Sequence, residues 1–167
     1  MPEPEYLRII EHKTAGLIAA SCKIGSIIGG ATDDQQDTLF RFGQHLGIAF
    51  QLADDTLDYV ANGDQLGKAL GQDLRQGKAT LPLLHLLQHC SEQDRQMIKD
   101  RMETRTLSQD DLHRILTLMQ EYGSISYAMD RAQAFVAAGK RDLDMFEDGN
   151  PKRALSIAAD YMVTRGR

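Results

Sequence analysis

The sequence predicts an all-helical protein, and three observations support this fold class. Only four of the 167 residues are proline, and alanine, leucine, glutamine and isoleucine are abundant, a composition that favours helix over sheet. Apolar residues recur at intervals of three and four positions along most of the chain, and no convincing stretch alternates as a strand does. Without an internal repeat or a low-complexity linker, residues 1–167 are expected to form one domain of about seven helices.

Composition narrows the class of function. Apolar residues make up 42% of the chain and charged residues 26%, as in an ordinary soluble globular protein. The net charge of −5 argues against a general nucleic-acid binder. Cys22 and Cys90 are too few and too far apart for a disulfide framework, which indicates a reducing compartment. No signal peptide is recognised, and the apolar run that begins at Ala15 is cut off by Lys23 before it could span a bilayer. The chain is therefore expected to be soluble and cytoplasmic.

The first predicted helix runs to about Ile28 and carries an unusual lysine. Lys13 stands in the middle of its apolar face, where lysine is normally avoided, and Thr14 stands at the edge. Lys13 is therefore a candidate functional residue; the alternative is a lysine stem that lies along the protein and reaches solvent. The residues expected on the apolar face are Tyr6, Ile9, Ile10, Leu17, Ala20, Ile24 and Ile28.

The second predicted helix begins after Thr32, its expected cap, and runs to about Val60. It contains the pattern Asp-Asp-x-x-Asp twice. The first copy, Asp33 to Asp37, lies in the opening turn, where acidic residues favour the helix dipole. This copy is expected to be solvated capping charge.

The second copy of the pattern, Asp54, Asp55 and Asp58, lies among apolar residues. With Gly47 and Gln51 it forms one stripe about 100° wide, and almost all of the remaining circumference is apolar. This inverts a normal surface helix. Because neighbouring carboxylates repel, a cation is expected between them. Oxygen ligands favour a hard ion, and Mg²⁺ shared with a phosphate fits better than the calcium loop of an EF-hand.

A glycine-rich loop is predicted from Asn62 to Lys78. Lys68 and Lys78 in this loop could add positive charge around the same phosphate; the alternative is an ordinary solvated loop. A P-loop is rejected because Ala79 stands where serine or threonine is required. Thr80 and Pro82 are expected to begin the next helix, and further helices are expected at about 92–103, 108–122, 124–145 and 151–164.

Three segments in this order and spacing resemble the trans-polyprenyl diphosphate synthases: Tyr6–Ala15, Gly47–Tyr59 and Leu66–Leu84. The resemblance extends from Tyr6 to the end of the chain, and it is greatest to bacterial members that make octaprenyl chains. It implies the isoprenoid (class I terpenoid) synthase fold, in which two helices that each carry an aspartate-rich motif face a central cavity. The chain resembles the C-terminal half of that domain and contains the second motif only. The resemblance therefore implies that this chain alone is inactive.

The resemblance also implies a role for each candidate residue. The family transfers a prenyl group from an allylic diphosphate to isopentenyl diphosphate with Mg²⁺, in isoprenoid and quinone side-chain biosynthesis. Asp54 is then expected to bind Mg²⁺ directly, and Asp55 and Asp58 directly or through water. The residues expected at the substrate are Lys13 and Lys68 on the allylic diphosphate, Lys78 in support of it, and Thr14 and Gln51 beside the allylic carbocation.

Two other functions are weighed against this one. A non-catalytic helical partner subunit of a prenyl synthase would have no use for an acidic stripe in its interior. A terpene cyclase or squalene-type synthase would share the aspartates but not the loop from Gly67 to Pro82. Since members of the family are usually homodimers, a homo-oligomer is expected.

Overall fold

A computed structural model of the chain describes residues 1–60 and 70–164. Within these ranges the chain is helical and contains no strand, which confirms the predicted class. The described residues form two compact units. The first contains those of Met1–Tyr6 and Asp54–Met129, and the second contains Leu7–Ala53 and the described residues from Asp130 onward.

The helices follow the predicted order. No helix in the described part of the chain has the length and apolar character needed to cross a membrane. The helices are α1 (Glu3–Ile10), a π-helical turn (Glu11–Ala15), α2 (Gly16–Ile28), α3 (Asp33–Leu57), α4 (Gln72–Arg75), α5 (Leu81–His89), α6 (Glu92–Thr104), α7 (Gln109–Glu121), α8 (Ser124–Asp142), a 3₁₀ turn (Leu143–Met145) and α9 (Asn150–Thr164).

Two predicted helix starts are confirmed by their capping bonds. At α3, the Thr32 hydroxyl accepts a hydrogen bond from the Gln35 backbone N–H at 3.4 Å, and the Gln35 side chain accepts one from the Thr32 N–H at 3.0 Å. At α7, Ser108 and Asp111 form the same reciprocal arrangement. Such capping boxes satisfy backbone donors that a helix N-terminus otherwise leaves open.

The apolar face expected for the first helix is wrong in part. Tyr6 and Ile10 are buried as expected, but four other members of the face are exposed. The buried residues of α2 are small, Ala19 and Ser26, and the buried Ala15 precedes them. The exposed members are Ile9 (48%), Leu17 (76%), Ile24 (57%) and Ile28 (82%).

The reason lies on α3, where two glycines stand one turn apart. A Cβ atom added to Gly47 would lie 2.3 Å from the Ala15 Cα, and one added to Gly43 would lie 2.6 Å from the Ala19 Cα. The backbones therefore approach so closely that only small side chains fit between them. The contact therefore requires small residues at Ala15 and Ala19, where the two backbones meet.

Each unit has its own apolar core. In the first unit, α5, α6 and α7 pack around side chains that include Leu83, Ile98 and Ile115, all with no exposed surface. In the second, α3 packs with α8 and α9 around Phe42, Leu46, Val136, Leu143 and Ala159. Cys22 and Cys90 are free thiols, the first half-buried and the second buried.

The close approach of the helices predicts opposite effects for two glycine substitutions. We expect Gly47→Ala to lower the free energy of unfolding by about 1–3 kcal/mol, because the added methyl group overlaps the Ala15 backbone. Gly25→Ala is the matched control, because nothing lies within 4 Å of its Cβ position. It should raise stability by about 0.5–1 kcal/mol through helix propensity. Urea denaturation followed by circular dichroism measures both, and a Gly47→Ala variant as stable as the unmodified chain would contradict the prediction.

Candidate functional site

Lys13 and Thr14 lie in the π-helical turn between α1 and α2. The turn closes through a hydrogen bond from the Gly16 N–H to the Glu11 carbonyl, five residues apart. Such turns are rare and occur frequently at functional sites. The Lys13 side chain is exposed, so the expectation that it lies within a buried apolar face is wrong. Its charge instead reaches solvent.

The structure brings two predicted site residues of the second unit together. The Thr14 hydroxyl donates a hydrogen bond to the Gln51 side-chain oxygen at 2.7 Å. Gln51 is 9% exposed. Thr14 precedes Ala15 and Gln51 lies one turn after Gly47, so the close contact of Ala15 with Gly47 positions the pair. A buried amide with a fixed partner presents a fixed dipole.

The three aspartates of the candidate motif lie in the first unit, at the end of α3. α3 ends at Leu57, and Asp58 is the first residue after it. Asp54 is exposed, Asp55 is 8% exposed and Asp58 is half-buried. Each carboxylate therefore has a different environment.

Asp55 is held by a tyrosine from α1. The Tyr6 hydroxyl donates a hydrogen bond to Asp55 Oδ2 at 2.6 Å, and Tyr6 is 3% exposed. Burial, followed by the negative charge of Asp55, raises the pKa of Tyr6 far above its usual value. The hydroxyl therefore stays protonated and acts as a donor.

Asp58 anchors residues 71–73. Its carboxylate accepts the backbone N–H of Gln72 at 3.3 Å and that of Asp73 at 2.8 Å. Its own carbonyl accepts the N–H of Gly71 at 2.9 Å. Desolvation raises the pKa of Asp58, and the Asp73 and Gln72 N–H groups act in the opposite direction. Three bonds to three consecutive residues make Asp58 a structural anchor in addition to a candidate ligand.

Lys78 lies against an acidic residue that the sequence did not single out. Its ammonium group is 2.7 Å from Asp73 Oδ1, and its N–H donates to the Asp73 carbonyl. The hydrogen bond to Asp73 raises the pKa of Lys78, so the side chain stays charged. Asp73 was missed because its partner contacts depend on the turn at Gly71, not on helical spacing. Lys68 lies outside the described residues.

Tyr59 joins the aspartate segment to the start of α5. Its hydroxyl is hydrogen-bonded to the Thr80 hydroxyl, and both residues are buried. Thr80 occupies the cap position of α5, as predicted, but its side chain makes no cap bond. Its hydroxyl bonds to Tyr59 instead. Pro82 lies at the beginning of the helix, also as predicted.

The aspartate motif is the candidate site for a metal ion. In residues 1–60 and 70–164, no group of three or more histidine, cysteine, aspartate or glutamate side chains is placed to hold one. Asp55 and Asp58 are directed toward protein donors, whereas Asp54 is exposed. This fits an ion such as Mg²⁺, which uses one or two carboxylates and takes its other ligands from phosphate and water.

The other Asp-Asp-x-x-Asp segment is exposed, as expected for capping charge. Asp33, Asp34 and Asp37 all face solvent. Asp37 pairs with Lys23 at 2.7 Å, and this hydrogen bond lowers the pKa of Asp37. The segment therefore serves as a natural control for the motif at Asp54.

The histidines of α5 belong to a stack of rings. His85 stacks on Tyr127 with ring centroids 4.4 Å apart and on His89 at 4.1 Å. The Tyr127 hydroxyl donates to a Glu3 carboxylate at 2.7 Å. Burial, followed by the neighbouring His89, lowers the pKa of His85. These contacts give the pair a packing role.

Comparison with known proteins gives a consistent family. A family profile described as polyprenyl synthetase matches residues 2–119. The chain is 38% identical over 165 residues to octaprenyl diphosphate synthase of Escherichia coli. This match covers 99% of the chain and 51% of the relative. The chain is also 37% identical over 163 residues to geranylgeranyl diphosphate synthase of Methanosarcina mazei. This match covers 98% of the chain and 48% of the relative.

A solved structure shares the fold. It is a polyprenyl synthase from Caulobacter crescentus, complexed with calcium and isoprenyl diphosphate. It superposes with a TM-score of 0.94 at 34% identity, over 100% of this chain and 51% of that one. The chain thus spans about half the length of the relatives that it matches.

The contacts of Asp58 predict that it contributes more to stability than an aspartate of the exposed acidic segment. We expect Asp58→Ala to lower the free energy of unfolding by about 1–3 kcal/mol, because the N–H groups of Gln72 and Asp73 lose an acceptor. Asp34→Ala is the control: its side chain is exposed, and we expect a change within about 0.5 kcal/mol. Urea denaturation at neutral pH measures both. Equal losses for the two variants would contradict the assignment of Asp58 as the anchor.

Proposed function

The chain belongs to the polyprenyl synthetase family, and from that premise we propose that it is part of a polyprenyl diphosphate synthase. The reaction is the condensation of isopentenyl diphosphate with an allylic diphosphate, with octaprenyl-like products for isoprenoid and quinone side-chain biosynthesis. The observation that carries the proposal is the acidic segment at the end of α3, which has one exposed carboxylate and two neighbours held by protein donors.

We assign Mg²⁺ as the metal, with Asp54 as its direct ligand. Asp55 and Asp58 hold the ion directly or through water. When bound, the ion neutralises the diphosphate and so stabilises it as a leaving group. Calcium in the related Caulobacter crescentus structure supports an oxygen-liganded divalent ion of this kind.

Three lysines supply further positive charge to the allylic diphosphate in this proposal. Lys13 and Lys68 contact it, and Lys78 supports it. Lys13 is exposed on a π-helical turn, and Lys78 is 52% exposed at its side chain. The Lys78 ammonium can donate to a phosphate oxygen in place of the Asp73 carboxylate, because both groups are negatively charged acceptors. The role of Lys68 rests on the family resemblance.

Thr14 and Gln51 act on the hydrocarbon side of the bond that breaks. Departure of the diphosphate leaves an allylic carbocation, which the double bond of isopentenyl diphosphate attacks; the released diphosphate then removes a proton. The hydrogen bond from Thr14 fixes the Gln51 side-chain oxygen, and such preorganised dipoles stabilise developing positive charge. Burial of Gln51 supports a dry environment in which the cation is protected from water.

Octaprenyl length rests on overall resemblance. Relatives of nearly equal identity make octaprenyl and geranylgeranyl chains, so identity does not select a length. We also propose a cytoplasmic location, which the two free thiols support, since disulfides are rare in reducing compartments.

The alternative function is a non-catalytic partner subunit of another synthase. The exposed apolar stripe of α2, formed by Leu17, Ile24 and Ile28, favours association in either case. We propose that a second copy of the chain covers it and that the protein is a homo-oligomer. Light scattering on the purified chain measures its oligomeric state and so distinguishes the two functions. A partner subunit is instead expected to be a monomer that co-purifies with a longer synthase.

The metal assignment predicts which of the two acidic segments binds ligand. We expect Asp54→Asn to weaken magnesium-dependent binding of inorganic diphosphate by more than about tenfold, because an ion ligand is lost. Asp34→Asn in the exposed segment is the control and should leave binding unchanged. Isothermal titration calorimetry with and without Mg²⁺ gives both values. Binding that depends on Asp34, or that does not need Mg²⁺, would contradict the assignment.

The partial match predicts the activity of the isolated chain. We expect the purified 167-residue chain to incorporate negligible labelled isopentenyl diphosphate into longer products, because it contains one aspartate-rich motif of the family's two. Extraction of labelled product into organic solvent measures this. Sustained incorporation by the chain alone would show that one motif is sufficient.

A further inference from the structure

Tyr6 contacts the aspartate motif but has no role in the reaction proposed above. Tyr6 lies on α1 and Asp55 on α3, 49 positions apart in sequence, yet their side chains are joined by a 2.6 Å hydrogen bond. Both are buried, at 3% and 8% exposure. An ionised carboxylate at that depth needs strong donors. Tyr6 supplies one from a part of the chain far from the motif.

We infer that Tyr6 is a positioning residue for the metal site. This inference rests on the proposed function, and it names a determinant of ion affinity that lies outside the aspartate motif. The Tyr6 hydroxyl fixes the orientation of the Asp55 carboxylate, and Asp55 in turn sets the geometry in which Asp54 and Asp58 meet the ion. Tyr6 does not touch the ion itself.

The chemistry of the contact suits this role. A tyrosine hydroxyl adds no charge, so it holds a carboxylate without neutralising it, unlike lysine or arginine. The hydrogen bond from Tyr6 therefore orients the Asp55 carboxylate without adding charge to it. Hydrogen-bond partners of metal-binding residues commonly set affinity in this way, and their loss typically costs about 10–100-fold.

Two other tyrosines of the first unit have different partners. Tyr59 follows the motif, but its hydroxyl is bonded to Thr80, so it supports the start of α5. Tyr127 in the same unit donates to a carboxylate of Glu3 at 2.7 Å, and it stacks on His85. Tyr127 therefore provides the same type of bond without the aspartate motif.

The test compares Tyr6→Phe with Tyr127→Phe in the full chain. Each variant removes one hydroxyl that donates to a carboxylate. Binding of Mn²⁺, a spectroscopic substitute for Mg²⁺, is measured by the loss of the free-ion signal in electron paramagnetic resonance. We expect Tyr6→Phe to weaken Mn²⁺ binding by about tenfold or more and Tyr127→Phe to leave it unchanged. Unchanged affinity in a folded Tyr6→Phe variant would overturn the inference.

A double-mutant comparison separates positioning from general destabilisation. If Tyr6 acts through Asp55, then Tyr6→Phe has no further effect on Mn²⁺ affinity in an Asp55→Ala background. An equal loss in both backgrounds would overturn the inference. If Tyr6→Phe alone fails to fold, refolding of the Tyr6→Phe/Asp55→Ala double variant supports action through Asp55, because the carboxylate that lost the Tyr6 donor is then absent. Failure of both variants to fold would mean that Tyr6 serves only in packing.

The outcomes also separate this inference from the proposed function. Loss of Mn²⁺ binding in Asp54→Asn together with an unaffected Tyr6→Phe variant would preserve the metal site and remove the role of Tyr6. Absence of Mn²⁺ binding by the unmodified chain would overturn both.

Discussion

The close contact of α3 with the helical run that precedes it is the constraint on which the second unit depends. Gly43 and Gly47 allow the α3 backbone to reach Ala19 and Ala15, and a Cβ atom at either glycine would overlap the facing backbone. The same contact places Thr14 beside Gln51. It also explains why the facing residues, Ala15 and Ala19, are small. A packing requirement and a candidate catalytic pair thus have one cause.

The first unit shows how a protein can collect three carboxylates in five positions. Each has a different solution to the repulsion and to the loss of water. Asp55 accepts from a buried tyrosine, Asp58 accepts from the backbone of residues 72 and 73, and Asp54 stays exposed. Two carboxylates thereby hold the local structure, and the third is accessible to an ion. The acidic character of the motif is thus compatible with a stable fold.

Local sequence predicted most of the helices and several of their ends, because capping and periodicity act over a few residues. Thr32 and Ser108 are examples, as is the exposure of the first acidic segment. What could not be predicted depends on contacts between distant positions. The partner of Asp55 is 49 residues away, the anchor at Asp58 depends on how the chain returns at Gly71, and the apolar face of α2 depends on the glycines of α3. Neither the π-helical turn at Lys13 nor the contact of Asp73 with Lys78 has a local pattern that would reveal it.

In our proposal Asp54 binds the ion directly, while Asp55 and Asp58 hold it directly or through water and keep their contacts to protein donors. A crystal structure of the chain with Mn²⁺ and inorganic diphosphate, with the ion located by its anomalous scattering, tests this most directly. We expect an anomalous peak at the Asp54 carboxylate, with the Tyr6–Asp55 hydrogen bond intact. A peak at Asp33, Asp34 and Asp37, or an Asp55 side chain turned away from Tyr6 to bind the ion, would contradict it.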